Sequence, residues 1–391
     1  MITPTAALTA CGLAFEVIMQ GRGAGKPDRA VNERERAMTK ATWWAAACAA
    51  GLLAAGCGGG MPEEPADTAA EMETEAAGGS GAGTIQRLDP RLDALVPPDA
   101  VIEKVAEGYM FTEGPVWDRI SDTLFFSDVR GNAVYQWSET DGPGTLLEPV
   151  FDGDREGLAL ISTNGLTLDE NNLLVMCEHG NRRISRLEAD GSRSVVVDSY
   201  EGRRLNSPND LVYGPDGSLY FTDPPYGMQG QEESPLRELD FNGVFRLRPD
   251  GELELLVSDM SRPNGIALAP NGATLYVANS DDSRKVWMAY DLDENGASNG
   301  RVLRDVTGET APGTPDGLKV DQTGHLFATG PGGVLVMTPE GEHLGTITPD
   351  ERPANVAWGG NGNVLYMTAS TGVYRVALAT AGKLSGPFRP Y

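Results

Sequence analysis

Residues 208–223 read PNDLVYGPDGSLYFTD. Two short apolar runs flank the turn signal PDG, and an amide, Asn209, stands at the head of the first run. Such a unit reads as two antiparallel strands joined by a tight turn. The same order returns along the chain: a polar residue, usually followed by Gly, then an apolar run, a turn and a second strand. It starts at Glu113 (TEGPVW), Asn164 (TNGLTL), Asn209 (PNDLVY), Asn264 (PNGIAL), Asp316 (PDGLKV) and Asn355 (ANVAWG), at intervals of 51, 45, 55, 52 and 39 residues. TLFFSD, NLLVMCEH, TLYVAN, HLFATG and VLYMTA are the second strands of the other units. Repeats of this length with about four strands each are propeller blades, because a blade cannot cover its own sheet faces and must stack on neighbours. A β-sandwich would also give many short strands, but not one motif in six places. The expected fold is all-β, a six-bladed β-propeller over residues 100–391. GVYRVAL is a later strand of the last blade, and whether residues 100–110 close the ring stays open at this level.

The first strand of a blade lines the central channel, so six equivalent strand starts converge at one mouth. The residues there are Glu113, Asn164, Asn209, Asn264, Asp316 and Asn355. Asn, Asp and Gly also suit tight turns, and for a single blade that reading would suffice. Six turn positions would be expected to include Ser, Gly and Pro as well. Two carboxylates among amide oxygens form a hard-oxygen donor set that suits Ca²⁺, with Mg²⁺ or Mn²⁺ next. Zn²⁺ is also open, although it usually takes His or Cys, and His179, His325 and His343 have no ligand spacing.

At these residues the sequence resembles the SMP-30/gluconolactonase/luciferin-regenerating family of six-bladed propellers, over roughly residues 105–385. The segments that carry the resemblance are EGPVW (113–117), CEHGNRR (177–183), LNSPNDLVYGPDGSLYFTDPPYG (205–227), PNGIALAP (263–270) and TPDGLKVDQTGHLFATGPGGV (314–334). The bacterial gluconolactonase-like branch is the nearest. The resemblance implies a divalent metal, usually calcium, held by Glu113, Asn209, Asn264 and Asp316, with Asp316 also the acid/base residue. A divalent ion polarises a lactone carbonyl and acidifies a bound water, and a carboxylate beside it can accept the proton of the attacking water. No G-x-S-x-G elbow is present, and Ser207, beside the ring, has no nearby His in sequence. Asn164, His179 and Arg182 are the expected substrate contacts, the last two from CEHGNRR, whose Glu178 and Asn181 lie near the same mouth. In animal members an Arg stands two positions before the third ring residue. Here Ser207 is found, so their substrate contacts do not transfer. DPPYG (223–227) reads as a rigid turn with Tyr226 on the rim.

The front of the chain is an address. From Met38 it runs MTKATWWAAACAAGLLAAGCGGG, with Lys40 before an apolar stretch too short to span a bilayer with margin. LAAGC (53–57) resembles a bacterial lipoprotein signal with Cys57 as the lipidated residue, although Ala54 stands where a branched apolar residue is commoner. Residues 1–37 then precede the true start, 38–57 are the signal segment and 58–99 a Gly/Ala/Glu-rich linker. Glu63, Glu64, Asp67, Glu71, Glu73 and Glu75 make its first part a solvated tether without Lys or Arg. An ordinary secretory signal or a weak anchor helix is the alternative. The formal charge of −25 argues against nucleic acid and anionic lipid headgroups as partners, leaving a lipid anchor as the expected link to a membrane. Of four cysteines only Cys177 lies in the repeat region, so no disulfide forms within it.

The expected function is metal-dependent opening of a sugar lactone by an exported, lipid-anchored periplasmic or cell-surface enzyme. The alternatives are a phosphotriesterase-like or other ester hydrolase on the same ring, and a non-enzymatic cell-surface binding propeller.

Overall fold

The computed structural model describes residues 81–387. The signal segment, Cys57 and the first part of the linker lie outside the described residues. Six sheets carry the six repeats, each running from an inner strand at the axis outward. The inner strands are Thr112–Asp118, Thr163–Leu168, Leu211–Tyr213, Pro263–Leu268, Leu318–Val320 and Pro353–Gly359, which begin blades 1 to 6. Blade 3 shows the local logic: Leu211 pairs with Phe221 and Tyr213 with Leu219 across the PDG turn, and Leu219–Asp223 then pairs with Gly243–Leu247.

Burial follows position within the blade. The second strands, such as Leu219–Asp223 and Leu326–Gly330, are buried on both faces and therefore read as continuous apolar runs. The outer strands alternate or open to solvent, as in Gly142–Leu147 and Gly296–Asp305. The apolar side chains form six clusters, one at each blade–blade interface. Val116 and Leu166 meet between blades 1 and 2, and Trp117 stacks on Tyr366 between blades 1 and 6 at 5.2 Å. Hydroxyls add a second tie. Ser127 of blade 1 donates to the carbonyl of Asn164 (2.7 Å), Thr222 of blade 3 to that of Asn264 (2.6 Å) and Thr329 of blade 5 to that of Ala354 (2.8 Å).

The chain closes the ring with its front end. Ile102–Glu107 is the outer strand of blade 6, antiparallel to Gly372–Ala377, with Ile102 opposite Val376. The linker boundary at residue 99 is corrected by the structure. Gly83–Arg87 forms a fifth strand on blade 5, with Gly83 opposite Pro349 and Arg87 opposite Gly345. Asp89 then caps a 3-10 turn over Pro90–Ala94, and Leu92, Leu95 and Val96 enter the cluster between blades 5 and 6. The physical reason is apolar content: these side chains bury enough surface to order the segment, each contributing about 1.5–3 kcal/mol when fully covered.

Candidate active site

The inner strands deliver the six ring residues to one mouth. Glu113, Asn164 and Asn264 are the second residues of their strands, Asn355 the third, and Asn209 and Asp316 stand two residues ahead of theirs. The glycine after a ring residue has an axial role that turn chemistry alone would not supply. A Cβ on Gly114 would lie 1.9 Å from the Asn164 carbonyl oxygen, and one on Gly265 2.2 Å from that of Asp316. In blades 1, 2, 4 and 5 the inner strand thus presses directly on the ring residue of the next blade.

Three ring amides form a directional chain. Asn164 Nδ2 donates to Asn209 Oδ1 (2.8 Å), and Asn209 Nδ2 donates to Asn264 Oδ1 (2.6 Å). Asn264 Nδ2 donates to Ser280 Oγ (3.2 Å), whose hydroxyl shares a short hydrogen bond with that of Tyr226. An amide oxygen has two lone pairs, so the oxygens of Asn209 and Asn264 each keep one for a ligand. On the other side, Glu113 Oε2 accepts from the Gly114 N–H (2.7 Å), and Asn355 Oδ1 accepts from the Val356 N–H (2.8 Å).

Glu113, Asn209 and Asn355 are almost fully buried, whereas Asp316 is half-buried. Burial pushes the Glu113 carboxyl above its usual range, with Gly114 pulling it back and the charge of Asp210 raising it again. Burial also raises Asp316, and the charges of Glu113 and Asp210 act in the same direction, against a weaker pull from Arg352 and Asn264. Neither ring acid has a Lys, Arg or His within 4.0 Å among the described residues. Two acids held together without a direct cationic partner, ringed by amide oxygens, fit one hard divalent cation. Among the described residues no group of three or more His, Cys, Asp or Glu side chains is arranged for a metal, so this donor set depends on its amides.

The three expected substrate contacts separate. Asn164 lies in the ring. His179 is fully buried beside Asn209, and burial, against a weaker opposing pull from the Asn209 side chain, lowers its pKa to about 4, so the imidazole is neutral near pH 7. Its backbone is pinned by the Ser162 carbonyl (3.0 Å), and Gly227 packs on its Cβ. Arg182 turns into the protein: Nε donates to the carbonyls of Leu205 (2.8 Å) and Asn206 (3.1 Å), and Nη1 to that of Leu236 (2.7 Å). This gives it a loop-holding position, with only Nη2 unpartnered. Glu178 is likewise enclosed by Arg183, Arg193, Ser185 and Asn181. Ser207 donates to the Pro224 carbonyl (2.6 Å) and accepts from the Gly227 N–H (2.8 Å), so its hydroxyl staples the DPPYG turn. Asp223 accepts the N–H groups of Asn206 (2.7 Å) and Ser207 (2.8 Å), shaping the approach to Asn209. Burial raises its carboxyl to about 7 against the pull of those donors. His325 bonds Thr323 (2.8 Å), and His343 sits on an outer strand of blade 5 against Thr346 (2.9 Å).

Three participants escaped sequence reasoning: Ser280, Asp210 and Lys319. Ser280 is the serine of the NS dipeptide near the end of the strand Thr274–Asp281 and carries no mark of its role. Asp210 and Lys319 did leave a signal. Asp210 occupies the position after a ring residue that is Gly in four of the other five repeats, and Lys319 is the lone charged residue three places after a ring residue.

A sequence profile of the SMP-30/Gluconolactonase/LRE-like region matches residues 111–371. A gluconolactonase from Zymomonas mobilis is 39% identical over 318 residues, covering 78% of this chain and 88% of its own. A pentonolactonase from Haloferax volcanii is 27% identical over 267 residues, covering 66% of this chain and 81% of its own. Among solved structures, a gluconolactonase from Xanthomonas campestris superposes with a TM-score of 0.67 at 30% identity, over 77% of this chain and 98% of its own. With its repeats, its closed ring of six blades and these matches, the chain belongs to the SMP-30/gluconolactonase/LRE-like family, on the gluconolactonase-like branch.

Proposed function

We infer that the protein is a sugar-lactone hydrolase of the gluconolactonase type, with its active site at the ring. The observation that carries the reading is the pair of acids, Glu113 and Asp316, converging without a direct cationic partner beside a directional chain of amides. The similarity to a gluconolactonase over 78% of the chain supports the substrate class.

Glu113, Asn209, Asn264 and Asp316 would hold a divalent cation, most readily Ca²⁺. When bound, such an ion supplies polarisation of the lactone carbonyl and acidification of water. The chain's own residues do the rest. The Asn164–Asn209–Asn264 chain fixes the amide oxygens before substrate arrives, so no reorganisation is needed during reaction. Asp316, the ring acid nearest solvent, accepts the proton of the attacking water at its carboxylate. It returns that proton to the ring oxygen as the C–O bond breaks, leaving a hydroxy acid.

The test is gluconolactone hydrolysis by the purified protein, followed by acid release. Chelation should abolish enzymatic turnover, and Ca²⁺ or Mn²⁺ should restore it. Asp316→Asn should lose about 10²–10⁴-fold in kcat, the usual contribution of an acid/base group. Full turnover in metal-stripped protein would overturn the mechanism. Preference for a phosphotriester over every lactone would move the protein to the alternative hydrolase class. At the front end, the lipoprotein reading requires that Cys57→Ser abolish incorporation of labelled fatty acid, and unchanged labelling would remove it.

A further inference from the structure

Beneath the ring the channel holds a second, oppositely charged pair. Asp210 follows ring residue Asn209 and is 2% exposed. Its Oδ1 accepts the Leu211 N–H (2.9 Å), and Oδ2 receives the Ile266 N–H of blade 4 (3.4 Å). Facing Oδ2 at 3.9 Å is the ammonium of Lys319, on the inner strand of blade 5, which also donates to the Leu318 carbonyl (3.1 Å). The lysine therefore crosses the space beneath blade 4 to face an acid of blade 3. Both members act on the ring: Asp210 disfavours the charged form of Glu113 and of Asp316, and Lys319 favours that of Glu113.

We propose that Lys319 and Asp210 form a built-in charge balance beneath the ring that sets how tightly the ring binds its divalent cation. Three carboxylates and one ammonium leave two negative charges at the axis, matched to one divalent ion. Asp210 would by itself make the ring more attractive to cations, but at the cost of an unpaired buried acid in the ion-free protein. Lys319 removes that cost and restrains the affinity. The inference rests on the metal-binding reading of the ring.

The experiment is calorimetric titration of Ca²⁺ into chelator-stripped protein, with thermal unfolding of the same ion-free samples. The set is wild type, Lys319→Met, Asp210→Asn and the double variant. Wild type should bind one ion per chain. Removing one unit charge from a partly shielded axis shifts cation affinity by about tenfold, so Lys319→Met should bind about tenfold tighter and Asp210→Asn about tenfold weaker. The double variant should return close to wild type. In the ion-free state Lys319→Met should melt below the double variant, because only the former strands a buried carboxylate. Single variants that shift affinity in the same direction, or not at all, overturn the proposal while leaving the metal reading intact. Absence of ion binding by wild type overturns the metal reading itself. If Lys319→Met fails to fold, Asp210→Asn against the double variant still decides, since the proposal requires the double variant to bind more tightly.

Discussion

At the scale of single residues, what a ring position does is set by what its neighbour can give. Asn264 ends the amide chain because Ser280 accepts the hydrogen bond from its side-chain N–H, and Ser280 is in turn tied to Tyr226. Groups that orient a ligand commonly matter about 10–100-fold in metal affinity. Tyr226→Phe, which keeps the ring and loses the hydroxyl, should therefore weaken Ca²⁺ binding by roughly tenfold on that scale. Titration calorimetry checks it, and unchanged affinity would mean that Ser280 alone suffices. The ring residues themselves were legible in sequence because each repeats a position. Ser280 carries no mark, and although Asp210 and Lys319 each break the pattern of their repeat position, nothing local to either announces a partner more than 100 positions away. CEHGNRR shows the converse. Its polar residues looked equally available for substrate, yet Glu178 and Arg182 bond inward while His179 lies buried beside the ring amide Asn209.

At the scale of elements, the strands were readable wherever apolar runs met turn signals, and the clasp at Gly83–Arg87 was not. GTIQR is short, follows a Gly-rich stretch, and gains its partner only when residues 343–349 are in place. Its neighbour Leu92 is fully buried between blades 5 and 6. Leu92→Ala should lower unfolding free energy by about 2–5 kcal/mol, the usual range for a buried leucine, although the site lies far from the mouth in sequence. Chemical denaturation would measure it. A loss below about 0.5 kcal/mol, the size of a surface substitution, would show that the 3-10 turn sits on the propeller without supporting it.

At the scale of the whole molecule, closure brings the two ends of the repeat region together, and charge pins the join. Lys104, on the closing strand, meets Glu351 at 3.0 Å, and Tyr374 donates to the same carboxylate (2.8 Å). Burial alone would raise the Glu351 pKa, but Thr371, Lys104 and Tyr374 hold it near 2. A depressed carboxylate stabilises fully above its unfolded value and loses that contribution as pH falls through the folded one. The contribution should therefore fade between about pH 4.5 and 2, and Glu351→Gln should flatten the stability profile in that window. Acid titration of the melting temperature in both proteins tests this, and parallel profiles would count against it.

The same join has a consequence for synthesis. The strands that seal blades 5 and 6 are made before any of the blades, but their partners, residues 343–349 and 372–377, are made only after blades 1 to 4. A nascent chain can stack its middle blades early, yet the ring stays open until residues 372–377 are made. A chain halted before residue 343 keeps both sealing strands without an edge to join, so premature termination there yields an unsealed arc in place of a smaller closed ring.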